Sequence, residues 1–266
     1  MEINYKELCL ETCRVAKLAA AFIKQEAQHF DISRVEYKDV NNLVSYVDKT
    51  AEQMIIEELK KLLPEATFIA EESFKNEAQA KFKWIIDPLD GTTNFTHGIP
   101  CYCVSIALME DDEIVTGVIY EINLDECFYS YKNGPSFLNE KIISVSKNEV
   151  MKKSLIATGF PYTKFDRTGP YMQVFDYCMH HTQGLRRLGS ACADLAYVAC
   201  GRFEAFYEYG LAPWDVAAGV IIVKNAGGIV TDFHGGNNVI FGEVLIASNK
   251  NIADEFGGVV KKLFGY

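Results

Sequence analysis

Carboxylates interrupt apolar segments at several points in this chain, and their placing suggests cation chemistry. Trp84-Ile85-Ile86 reads as a buried strand, and it runs straight into Asp87-Pro88-Leu89-Asp90-Gly91-Thr92-Thr93-Asn94. Two aspartates at the end of a buried strand are costly unless they are paired or bound to metal. Pro88 fixes the backbone between them and Gly91 lets the chain turn closely, so both carboxylates can converge on one region. Gly91-Thr92-Thr93 then offers backbone amides and hydroxyls that suit phosphate oxygens. An isolated Asp-x-x-Asp is most often a turn in which Asp90 caps and Asp87 accepts hydrogen bonds. Here other acids lower the weight of that reading. Glu71 and Glu72 close the preceding strand in the same way, and Asp215 follows Pro213-Trp214 where another helix starts. Singly, Glu71 reads as a surface residue and Asp215 as an N-cap. Together, Glu71, Asp87, Asp90 and Asp215 make an oxygen-only set without histidine, which selects magnesium or manganese over zinc or copper.

The elements that must position these acids follow from hydrophobic spacing. Leu8, Val15, Leu18 and Phe22 recur every three or four residues, predicting an amphipathic helix. A second helix is predicted over Lys49 to Leu63, ended by Pro64. Short strands over Thr67 to Ala70 and Lys83 to Ile86 each end in carboxylates. A β-meander follows, with strands at Cys103 to Met109, Ile114 to Tyr120 and Glu126 to Tyr131. The polar stretch Lys147-Asn148-Glu149 suggests a seam between an N-terminal half, 1–146, and a C-terminal half, 147–266. Beyond it come a strand at Leu155 to Thr158 and helices around Tyr171 to His180, Ala191 to Cys200 and Trp214 to Asn225. A strand at Val244 to Ala247 comes last. Mixed strands and helices in two halves suggest stacked layers with a cleft between them, the two halves forming one unit.

Composition narrows the function classes. The 266 residues carry 26 basic and 36 acidic side chains, a formal charge of −10, which disfavours binding nucleic-acid backbones by charge. A phosphorylated small molecule is still accessible if bound cations reverse the local sign. No secretory signal is visible at the start, and the longest apolar run, Val216 to Val223, is far too short to span a bilayer. The eight cysteines sit inside apolar patterns, which predicts reduced buried thiols in a cytoplasmic protein, neither a disulfide framework nor a zinc site.

WIIDPLDGTTNFTHGIP (Trp84 to Pro100) resembles the first signature of the inositol monophosphatase family, and WDVAAGVIIVKNAGG (Trp214 to Gly228) resembles its second. LVSYVD (Leu43 to Asp48), AEES (Ala70 to Ser73), RRLGSACADLAYVACG (Arg186 to Gly201) and YEYG (Tyr207 to Gly210) fall in the family's order. The resemblance implies an α+β fold, a layered αβαβα sandwich with the active site between the N- and C-terminal halves. It implies two or three Mg²⁺ ions, the first held by Glu71, Asp87 and the Leu89 carbonyl, the second by Asp87, Asp90 and Asp215. Glu71 and Thr92 would orient the attacking water, and the Gly91 and Thr92 amides, with Thr93 beside them, would hold the phosphate. Glu208 and the Gly189-Ser190-Ala191 turn, next to Asp90 and Asp215, would contact the hydroxyls of a small phosphorylated polyol. Asp48 matches an acid that supports Thr92 or a further metal, with a plain helix N-cap as the competing role. Ala70 and Asn42 depart from the family's usual Gly and Asp without removing a ligand. The resemblance also implies a homodimer and inhibition by lithium.

Inositol 1-phosphate is the expected substrate. The alternatives are fructose 1,6-bisphosphate, a nucleotide 3′-phosphate, histidinol phosphate, or no catalysis in an interaction protein of this fold. Asp90-Gly91-Thr92-Thr93-Asn94-Phe95 resembles the inositol branch, and Glu208 suits a polyol because a carboxylate accepts from adjacent hydroxyls. His97, His180 and His181, Arg186 and Arg187, Glu72 and Lys38 are expected to play structural, solvated or interface roles.

Overall fold

The computed structural model describes residues 3–30, 35–39, 42–73, 80–162 and 165–266. Seven strands form a mostly antiparallel sheet: β3 (Thr67–Ala70), β4 (Phe82–Asp90), β5 (Cys103–Glu110), β6 (Glu113–Glu121), β7 (Glu126–Tyr131), β8 (Ser136–Leu138) and β9 (Lys141–Ile142), in that order. Only the β3–β4 pair is parallel. A second sheet of five strands has the order β11 (Gly184–Arg186), β10 (Leu155–Thr158), β12 (Ala205–Tyr209), β14 (Val244–Asn249), β13 (Gly228–Thr231). A separate hairpin pairs β1 (Val35–Asp39) with β2 (Asn42–Ser45).

Helices complete five layers. The helices α1 (Tyr5–Ala27) and α2 (Tyr46–Leu62) cover one face of the seven-stranded sheet. Between the two sheets lie α5 (Ala191–Ala199) and α6 (Pro213–Asn225), which touch both. Outside the five-stranded sheet are α4 (Thr168–His181) and α7 (Ala253–Leu263), while the short α3 (Thr92–Thr96) follows β4 directly. The αβαβα expectation holds, and one core joins α5 and α6 to the inner faces of both sheets.

Strand alternation assigns the faces. On β4, Ile85 packs into the middle core, whereas Trp84 and Ile86 pack under α1 and α2. The helical and meander segments fall within a few residues of their expected places, with three differences. The buried stripe of α1 is Cys9, Thr12, Val15, Ala16, Ala19, Ala20 and Ile23, and Leu18 is exposed. Small side chains bring that helix close to the sheet and push the larger leucine to the flank. β4 extends four residues past Ile86, so the aspartates lie inside the strand. Finally, α7 was not anticipated. Its Gly257-Gly258 pair reads as a turn, but burial of Phe256 and Val260 overrides the weak local propensity.

Candidate active site

A β-bulge brings the two signature aspartates to one face. Asp87 pairs with Ser105 on β5, but Asp90 pairs with Cys103, so three steps along β4 match two along its partner. In a regular strand, residues three apart point to opposite faces. The extra residue of the bulge, at Pro88-Leu89, restores the parity. Leu89 turns under α2, and both carboxylates face the middle layer, where α6 begins. Oxygens of Asp87, Asp90 and Asp215 lie within 4.8 Å of one another, close enough to share a metal ion.

Each carboxylate is held in place. The Leu89 amide donates to Asp87 Oδ1 at 3.0 Å. Asp90 Oδ2 accepts from the Ser190 hydroxyl at 2.6 Å and the Cys192 amide at 2.7 Å, so the start of α5 grips one oxygen. Asp215 Oδ2 accepts from the Ala212 amide at 2.7 Å, which makes it the third residue of α6, not its N-cap. Glu71 continues the parallel ladder through its amide to the Ile86 carbonyl at 3.3 Å, with the same facing as Ile69, toward the middle layer. Its charge raises the proton affinity of both Asp87 and Asp215. Burial is the larger cause for each, and both carboxyls are pushed well above the usual range. Asp90 is raised by burial against the lowering effect of its hydrogen bonds. Among the described residues, no lysine or arginine forms an ion pair with Asp87, Asp90 or Asp215.

Asp48 accepts a hydrogen bond from Thr92, and it is the third residue of α2, not its N-cap. Ser45 is the N-cap of α2, and Asp48 three residues on accepts from the Ser45 amide and hydroxyl at 2.8 and 2.6 Å. Its other oxygen lies 2.8 Å from the Thr92 hydroxyl, which is also 3.0 Å from the Leu89 carbonyl. With its proton shared between those acceptors, Thr92 is left lone pairs for a further donor. One turn along α2, the buried Glu52 accepts from the Glu72 amide at 2.8 Å and so fixes the segment next to Glu71. Gly91 adopts φ +94°, and a Cβ there would meet the Cys101 carbonyl at 2.9 Å, so the turn into α3 requires glycine. Thr93 lies in the first turn of α3, beside Thr92.

The opposite wall comes from the C-terminal part of the chain. Asp90, Ser190, Ala191, Glu208 and Asp215 line one cleft of about 60 Å³, together with Gly189 and Arg187. Asn94 spans the two walls, donating to the Cys101 carbonyl at 2.7 Å and the Leu188 carbonyl at 2.8 Å. Ser190 caps α5 while donating to Asp90, so its hydroxyl is already engaged. Glu208 is buried with its carboxyl pressed on Gly159, where an added Cβ would fall 2.1 Å away. Burial, then the Asp90 charge, raises its carboxyl to about 8.

Sequence reading missed Glu52, Asn94 and Asp194, and it set Arg187 aside. Arg187 lies over the Phe160 ring at 5.7 Å and lines the cleft. Asp194 also lines it, buried in α5. An acid inside an otherwise apolar helical segment was the available signal. His97 is exposed after α3, and Glu72 offers its backbone, while the side chains of Lys38 and Asn42 lie outside the described residues. His180 and His181 each meet the carbonyl four residues back in the last turn of α4.

Known proteins resemble this chain over nearly its whole length. The family model described as "Inositol monophosphatase family" matches residues 5–262. An inositol-1-monophosphatase from Mesorhizobium japonicum is 39% identical over 230 residues, covering 86% of each chain. A protein named Nus factor SuhB from Pseudomonas aeruginosa is 37% identical, covering 89% of each. The crystal structure of extragenic suppressor protein suhB from Bartonella henselae superposes with a TM-score of 0.90 at 37% identity, covering 96% of this chain and 99% of that one. With the two signatures, the five layers and the facing carboxylates, these matches establish that the chain belongs to the inositol monophosphatase family.

Proposed function

We propose that the protein is a Mg²⁺-dependent phosphomonoesterase that hydrolyses a small polyol phosphate, with inositol 1-phosphate the best-fitting substrate. The observation that carries this reading is the cluster of Asp87, Asp90 and Asp215, mutually within 4.8 Å, of which Asp90 and Asp215 line one cleft with Glu208. The donor set fits magnesium: the oxygens are hard and anionic, and their charges go uncompensated by any described cationic side chain. Asp87, Asp90, Asp215 and Glu71, with the Leu89 carbonyl, would hold the ions. When bound, Mg²⁺ offsets the carboxylate charge, polarises the phosphoryl group and lowers the proton affinity of nearby water.

The chain's own groups do the rest. Thr92, its proton engaged by Asp48 and the Leu89 carbonyl, accepts a hydrogen bond from the attacking water and aims it in line with the ester bond. Glu71 accepts the second hydrogen bond and draws off the proton. The amides of the Gly91–Thr93 turn, where α3 starts without a side-chain cap, hold phosphoryl oxygens. Glu208 accepts hydrogen bonds from hydroxyls of the departing alcohol. A non-catalytic reading would be marked by a lost acid or by loss of Thr92, and all are in place. The free thiols suit a reducing cytoplasm. Among the described residues no helix is long and apolar enough to cross a membrane.

Phosphate release from inositol 1-phosphate, fructose 1,6-bisphosphate and adenosine 3′,5′-bisphosphate, with and without Mg²⁺, tests the proposal. Magnesium-dependent turnover led by the inositol ester is expected. Preference for another ester would keep the chemistry and replace the substrate, and no turnover on any would overturn the reading.

A further inference from the structure

Asp194 has no role in the chemistry above, yet it is 1% exposed and its Oδ1 has no hydrogen-bond partner. Most buried carboxyls are satisfied, because an orphaned one forfeits its hydration without return. A place in the first turn of α5 suits an acid electrostatically, but an exposed acid would meet that need equally well. Asp194 also lines the cleft, so the cleft is the place to seek its partner. The charged groups that act on it are Glu208, Asp90 and Arg187. Arg187 is exposed and lies over Phe160, and it donates no hydrogen bond to Asp194 Oδ1.

The missing partner is therefore a donor. A metal ion would need several convergent oxygens, and among the described residues the close acidic group is Asp87, Asp90 and Asp215, without Asp194. A hydroxyl of the substrate can supply that donor. Since Glu208 is a second acceptor in the same cleft, an alcohol with hydroxyls on neighbouring carbons can satisfy both acids together.

We infer that Asp194 is a specificity-determining residue, which with Glu208 forms a two-acceptor floor selecting leaving alcohols that carry several hydroxyls. This rests on the polyol phosphatase reading. A site built to accept a hydroxyl proton discriminates strongly against ligands lacking it, because the buried acceptor is otherwise left unpaired.

The test compares inositol 1-phosphate with phenyl phosphate, whose leaving group has no further hydroxyl, in the Mg²⁺-loaded wild type, Asp194→Asn and Asp194→Ser. Both variants are expected to lose about 10-fold or more in kcat/KM on the inositol ester, chiefly through KM, and to stay within about twofold on phenyl phosphate. An unchanged Mg²⁺-induced rise in melting temperature reports an intact metal site in either variant. Equal losses on both esters, or no loss on either, overturn the assignment of Asp194 and leave the polyol reading standing. A wild type that treats the two esters alike overturns both.

Discussion

The two walls of the cleft are built on different principles. The N-terminal wall is strand and ladder: β4 carries Asp87 and Asp90 across a bulge, β3 delivers Glu71, and the buried acids of α2 brace Thr92 and Glu72. Its geometry is set by backbone hydrogen bonds that neither mutation nor ligand easily shifts. The C-terminal wall is helix starts and turns: α5 grips Asp90, α6 presents Asp215, and the end of β12 presents Glu208 against Gly159. It varies with side-chain choice at a few positions. The difference suggests a division of labour, with the water and all metal ligands but Asp215 held on the rigid wall and the leaving alcohol read on the adaptable one. Asp90 and Asn94 tie the walls together.

Breaking the adaptable wall alone gives the largest expected effect. Gly159→Ala would place a Cβ 2.1 Å from the Glu208 carboxyl and force that side chain out of position. Turnover of inositol 1-phosphate should fall about 10- to 100-fold in kcat/KM, with phenyl phosphate far less affected, as steady-state kinetics on the two esters would show. Equal loss on both would erase the division of labour.

Loosening the rigid wall should instead appear in metal use. Glu52→Ala removes the acceptor of the Glu72 amide and should raise the Mg²⁺ concentration for half-activation about 3- to 10-fold. Glu52→Gln keeps an acceptor oxygen and should restore most of it. Magnesium titrations of activity and of melting temperature, run side by side, would separate this from a general loss of stability.

The smallest effect is pH linkage. Asp87 and Asp215 have folded-state proton affinities raised by burial and by neighbouring acids. The metal-free fold therefore binds more protons than the unfolded chain above the ordinary carboxylate value, about 4, up to the raised values. These groups' contribution to its stability falls as pH rises through that window. Magnesium requires them ionised, so the Mg²⁺-induced stabilisation should grow as pH rises above the ordinary carboxylate value. Melting curves with and without Mg²⁺ across that range would measure it, and a stabilisation independent of pH would contradict it.

Much of this arrangement was legible from residue order, for reasons that are physical. An apolar strand running into acids marks Asp87 and Asp90, and a Pro-Trp-Asp helix start marks Asp215, because each is anomalous locally. The bulge that turns Asp90 to the same face as Asp87 was not legible, since it depends on which residues β5 sets opposite. Glu52 lies on an ordinary amphipathic helix, and only the docking of Glu72 gives it a task. Asp194 was hidden among alanines, and Arg187 looked solvated until the 187–190 turn folded against the cleft. α7 escaped because two adjacent glycines mask a helix whose stability is tertiary.

The central claim is that the carboxylate cluster holds magnesium. Melting temperature measured against Mg²⁺ without substrate, in the wild type and in Asp90→Asn, tests it most directly. The wild type should rise by several degrees as sites fill, following mass action, while Asp90→Asn should rise little over the same range. Equal shifts in both proteins, or none in either, would contradict the account.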